Sequence, residues 1–129
     1  MVDSKKFEDW VRKAEQDLRG AQTLLKHGDA NELVAFHSQQ AVEKMLKAYL
    51  LHKVEKLAEG HSLVYLSREC QRLDKDFSQT MADARELNNY YIETRYPADE
   101  GTEVTNNDAK EGLAAAVRVV EFTKKKMGL

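Results

Sequence analysis

Almost nothing in this chain interrupts a helix: 129 residues contain a single proline, Pro97, and only six glycines. Proline removes a backbone donor and glycine costs about 1 kcal/mol inside a helix, so a chain this poor in both is free to run in long helical segments. The apolar residues fall at the matching period. Phe7, Trp10, Ala14, Leu18, Ala21 and Leu25 recur at steps of three and four, one stripe of a first helix that Ser4 caps and Gly28 stops. A second helix spans residues 30–52, and Val34, Ala41, Val42, Met45, Leu46, Ala48, Tyr49 and Leu50 cover more than half its circumference. A helix so widely apolar belongs at the centre of a bundle. Ser38 and Gln39 lie inside its apolar arc, so each is expected to need a hydrogen-bonding partner.

Gly60-His61-Ser62 breaks the chain, and Ser62 is placed to cap a shorter third helix with the stripe Leu63, Leu66, Cys70 and Leu73. Asp74-Lys75-Asp76 reads as a turn. A fourth helix carries Met81, Ala84, Leu87, Asn88, Tyr91 and Arg95 along one side and must end before Pro97. Residues 97–106 are polar and acidic, a loop. Thr105 with Asp108 resembles a capping box opening a last helix, where Leu113, Ala116, Val117 and Val120 form the stripe. Lys124-Lys125-Lys126 suits that helix's negative pole. No strand pattern or repeat appears. The expectation is an all-α fold, an antiparallel bundle of about five helices, four long and one shorter, in one domain over residues 1–129.

Composition removes several function classes. A 42% hydrophobic fraction suffices for a core, while 33% charged residues imply a heavily charged surface. Twenty basic against 22 acidic residues leave a formal charge of -2, which disfavours a general nucleic-acid coating role. Cys70 is the only cysteine, so neither an intrachain disulfide nor a cysteine zinc site is available. As a residue of an apolar stripe, it reads as a small buried hydrophobe rather than a reactive thiol. His27, His37, His52 and His61 form no metal-binding spacing, and no phosphate-binding glycine loop exists. No apolar run spans a membrane, and the N-terminus lacks a secretory pattern. The expectations are no metal, no membrane association and a cytoplasmic location.

Two polar clusters remain. On the second helix His37, Gln40, Lys44 and Lys47 share one face with Glu43 adjacent. Two lysines on one face can hold a phosphate. The same residues also fit a solvated strip with an ordinary Glu43–Lys47 pair. At the end of the fourth helix stand Asn88, Tyr91, Arg95 and Tyr96. Arginine grips phosphate bidentately and tyrosine stacks on bases. The plainer alternative makes the tyrosines core and has Arg95 tether the following loop.

The run Gln39-Gln40-Ala41-Val42-Glu43-Lys44-Met45-Leu46-Lys47-Ala48 resembles the signature helix of HEPN domains (higher eukaryotes and prokaryotes nucleotide-binding). Trp10 with Ala14, Asp17-Leu18 and Ala21 resembles the opening helix of that family. His61-Ser62-Leu63 with Leu66, and Asn88-Asn89-Tyr90-Tyr91-Ile92 followed by Arg95-Tyr96-Pro97, resemble its third-helix start and fourth-helix end. The resemblance implies a helical bundle, commonly a homodimer, often partnered with an MNT-type nucleotidyltransferase. It also implies nucleotide binding, toxin–antitoxin function and, in many members, metal-independent RNA cleavage. The cleaving members carry an arginine, then four to six residues, then a histidine, and no histidine here has an arginine at that separation. The chain therefore reads as a member without catalytic residues or cofactor. It is expected to bind a nucleotide or a nucleotidyltransferase through His37, Gln40, Lys44, Lys47, His61, Asn88, Tyr91, Arg95 and Tyr96. Two alternatives stay open. One is a ribonuclease toxin acting on RNA with His61 and Arg95. The other is a structural dimerisation module using Ser38, Gln39 and apolar helix faces.

Overall fold

A computed structural model of the chain describes residues 2–93, 97 and 103–129. Among these residues the secondary structure is entirely helical. Helix α1 covers Phe7–His27 and buries Ala14, Leu18 and Ala21 of the expected stripe together with Val11, while Phe7, Trp10 and Leu25 are only partly buried. Lys6, not Ser4, occupies the N-cap position, and it makes no side-chain cap. Ser4 lies two residues earlier. Its Oγ accepts the Lys6 N–H at 3.0 Å and donates to Asp9 Oδ2 at 2.7 Å, which ties the approach segment to the first turn. Gly28 ends α1 at φ 86°, a conformation that favours glycine.

Helix α2, Asn31–Val54, is the spine of the molecule, and α1 and the C-terminal helix α6, Asn106–Lys126, make the broadest contacts with it. Its wide apolar surface is buried on several sides at once. Val34, Ala41, Val42, Met45, Leu46 and Ala48 are all at or near zero exposure. Helix α3, Leu63–Leu73, starts at Ser62, whose side chain accepts from the Tyr65 N–H. Thr105 and Asp108 form a full capping box on α6: each side chain accepts the other's backbone N–H at 3.0 Å.

Two parts differ from the sequence expectation. The segment read as a turn after α3 is a 3-10 helix, Lys75–Thr80, and it drives Phe77 into the core between Tyr49 and Phe122. The single fourth helix is divided. Helix α4, Met81–Leu87, gives way to a turn at Asn88 and Asn89, and a short helix α5, Tyr90–Glu93, resumes beyond it. Across the molecule Lys126 reaches from α6 to Asp74 at 2.8 Å and Asp76 at 2.7 Å, fastening the C-terminal end to the 3-10 segment. Among the described residues no helix is long and apolar enough to cross a membrane.

A candidate ligand face on the central helix

Residues 37, 40, 44 and 47 return to one side of α2 at helical spacing. That side faces α1 and the start of α3, and both neighbours bring polar groups to it. From α1, Asp17 places Oδ1 2.9 Å from His37 Nδ1 and Oδ2 2.6 Å from Lys44 Nζ. One turn further along α2, Glu43 is almost wholly buried, with its side chain 5% exposed. Its Oε2 takes Lys47 Nζ at 3.2 Å and its Oε1 lies 3.0 Å from His61 Nδ1. Each carboxylate thus holds one lysine and one histidine. Buried ions persist only when paired and hydrogen-bonded, and both conditions are met at Glu43.

Two amides complete the network. Gln40 donates to Gln39 Oε1 at 2.8 Å and approaches Glu43 Oε1 at 3.5 Å. Gln39, at zero exposure, donates to the His61 carbonyl at 3.2 Å, so it finds the partners its buried position demands. Ser38 does not. It is equally buried, and its Oγ has no hydrogen-bond partner among the described residues. Because both side chains are enclosed within the chain, neither is placed to form a surface for a second copy, which removes them from the dimerisation reading.

Aromatic rings run along the outer edge of this network. His61 stacks on Tyr91 with ring centroids 3.9 Å apart and planes at 13°. Tyr91 stacks loosely on Phe36 at 6.3 Å, and Phe36 meets His37 edge-on at 5.5 Å. The series His37–Phe36–Tyr91–His61 therefore begins and ends on a carboxylate-held imidazole. Beside it Trp10 donates its indole N–H to the Ser4 carbonyl at 2.8 Å, and Lys47 Nζ lies 5.8 Å from its ring centroid. A cleft of about 540 Å³ opens next to Trp10, Lys47 and His61, walled by Asp3, Lys5 and residues 55–60.

The structure gathers His37, Gln40, Lys44, Lys47, His61 and Tyr91 from the sequence-based set onto one face. Asn88 has a backbone role instead: its Oδ1 accepts the Leu63 N–H at 2.7 Å, satisfying a donor at the start of α3. Arg95 and Tyr96 lie outside the described residues. The lysines are not free cations, since each already faces a carboxylate. The contributions missed from sequence are Asp17, Phe36 and Trp10. None shares a spacing rule with the α2 face, because Asp17 and Trp10 belong to another helix and Phe36 sits off the polar stripe.

No group of three or more potential metal ligands occurs among the described residues. Cys70 is buried at zero exposure with Sγ 3.8 Å from the Leu46 carbonyl, and burial raises its thiol pKa far above the ordinary range. Native protein is therefore expected to leave a thiol-reactive chromogenic disulfide unreduced over hours and to react at once in denaturant; rapid reaction without denaturant would contradict the burial.

A bundle wound around one nearly enclosed helix, with its polar side turned to α1 and α3, defines a class of small all-helical domains. The family model described as "HEPN domain" matches residues 7–127, and the chain belongs to that family. Two solved structures agree over nearly the full length. TT1696 from Thermus thermophilus is 30% identical with a TM-score of 0.79, covering 95% of this chain and 99% of that one. ST0689, described as an archaeal HEPN homologue, is 31% identical with a TM-score of 0.77, covering 95% and 98%. A Methanocaldococcus jannaschii protein, MJ1304, named as a candidate toxin, is 29% identical over 139 aligned residues, 93% of this chain and 90% of that protein.

Proposed function

We propose that this protein is a non-catalytic HEPN member that binds a nucleotide on the α2 face and works in a toxin–antitoxin-like pair with an MNT-type nucleotidyltransferase, itself as a homodimer. The observation that carries the ligand reading is the ring series from His37 to His61, which offers a stacking surface beside a polar network. Stacking on aromatic side chains contributes about 1–3 kcal/mol per base and tolerates any base identity. The pairing of the toxin role with this chain is supported by the likeness to MJ1304. The non-catalytic reading is supported by the missing arginine–histidine spacing.

The test is an amide-shift titration with ATP, GTP and a short RNA. Saturable shifts should centre on Lys44, Lys47, His61 and Tyr91, and Tyr91→Ala should weaken ATP binding about tenfold, within the range for one stacked base. An absence of shifts at millimolar nucleotide would overturn the ligand assignment.

One geometric feature favours a second reading. A carboxylate behind an exposed imidazole is the arrangement of a proton carrier, and His61 has it. Incubation with structured RNA in EDTA decides this: cleavage that disappears in His61→Ala would replace the non-catalytic reading with a ribonuclease.

A further inference from the structure

The duplicated arrangement of Asp17 and Glu43 fixes where an anion can be recognised. An ionised carboxylate only accepts hydrogen bonds, so a bond from His37 to Asp17 or from His61 to Glu43 in that state places the proton of a neutral ring on Nδ1. In the neutral imidazole the other nitrogen, Nε2, then holds a lone pair and cannot donate. A second proton changes this in two ways together: Nε2 becomes a donor and the ring becomes a cation. The lysines have no equivalent freedom. Lys44 neutralises Asp17 and Lys47 neutralises Glu43, so with neutral histidines the two clusters carry no net charge.

We infer that the anion-recognising groups of this face are His37 and His61, at the two ends of the ring series, and that binding of a phosphate-bearing ligand is coupled to proton uptake by them. This rests on the nucleotide reading above and narrows it: the base lies on the Phe36–Tyr91 rings, the phosphate at a histidine, and Lys44 and Lys47 act as internal counter-ions. The groups around each histidine are consistent with this division of roles. His37 faces Asp17 from α1, Lys44 beyond it on α2, and Phe36 on the side of Tyr91. His61 faces Glu43 and, through it, Lys47 from α2, with Tyr91 of α5 beneath its ring. The adjoining cleft wall balances Lys5 and Lys56 against Asp3, Glu55 and Glu59, so it supplies no cationic excess of its own. Half of the His61 side chain is exposed and a third of the His37 side chain, which leaves both reachable by a ligand. A protonated imidazole over a phenol face also gains cation–π attraction.

A ligand that favours the protonated rings binds more tightly as pH falls. The experiment uses the full chain with sulfate, a dianion whose own charge is constant from pH 8 to pH 5.5, and with ATP in parallel, both followed by isothermal titration and amide shifts. Sulfate affinity should climb on acidification, by up to about tenfold per pH unit for each proton taken up. His61→Gln, which keeps a donor toward Glu43, should reduce that slope, and the double variant with His37→Gln should flatten it; melting curves confirm that the variants fold. ATP binding that persists while sulfate shows no pH dependence overturns the proton coupling and leaves the nucleotide reading standing. A slope that survives in the double variant overturns the assignment to these histidines. No binding of either ligand at any pH removes both readings.

Discussion

Glu43→Ala is expected to lower the unfolding free energy by about 3–5 kcal/mol, the range for removing one partner of a buried ion pair. The substitution strips the counter-ion from Lys47, whose side chain is 8% exposed, and takes an acceptor from Gln39, Gln40 and His61 together. The loss therefore combines an uncompensated buried cation with three weakened hydrogen-bonding groups. Urea denaturation at neutral pH reads it directly. A companion variant separates charge from packing. Replacing Glu43 by leucine and Lys47 by methionine together removes both ions and fills the space, and apolar replacement of a buried pair is often neutral or stabilising. Recovery of most of the lost stability in the double variant is expected. A Glu43→Ala cost below about 1 kcal/mol would mean that the pair behaves as an ordinary exposed ion pair.

Phe77→Ala should be of similar size, about 3–5 kcal/mol, for a different reason. Phe77 is fully buried, tilted against Tyr49 at 4.5 Å and edge-on to Phe122 at 5.1 Å. Its loss opens a cavity between α2, α6 and the 3-10 segment, and backbone held in three elements can close only part of it. Phe77→Leu, which keeps most of the volume, should cost clearly less. Equal costs for the two variants would show that ring geometry, not cavity volume, governs this junction. Chemical denaturation of all three proteins side by side makes the comparison.

These two positions also mark the limits of what the chain reveals before folding. Helical spacing exposes the α1 stripe and the wide apolar surface of α2 because each is a property of one segment read alone. The Ser62 cap and the Thr105–Asp108 box are local for the same reason, and both are present. Ser4 shows where local reading slips. A good capping residue stands near a helix start, yet the helix begins after Lys6, and the hydroxyl serves Asp9 and the Lys6 N–H. Phe77 escapes such reading because its neighbours, Asp74, Lys75 and Asp76, have turn chemistry, and a single aromatic in a short 3-10 segment makes no periodic pattern.

The candidate site divides in the same way. His37, Gln40, Lys44 and Lys47 are legible as one face of one helix. Their electrostatic condition is not, since it depends on Asp17 from α1 and on the burial of Glu43. The Glu43–Lys47 pair that the spacing offers is present, and Lys44 gains a counter-ion, Asp17, that only the folded chain supplies. The sequence marks His61 only by its place at a helix start, and its stacking on Tyr91 joins the chain just ahead of α3 to α5, which no local spacing reveals.

The Asn88–Leu63 hydrogen bond has a consequence for how such domains can vary. It joins the first residue of α3 to the turn ahead of α5, and His61 and Tyr91 sit two and three residues from its ends. The segments that carry that ring pair are thus held together by a bond that does not pass through the connecting residues 55–60. Loop closure becomes only slowly costlier with length, so insertions there need disturb neither that bond nor the rings. A longer connection would therefore change the wall of the cleft that residues 55–60 form while leaving the Asn88–Leu63 bond in place.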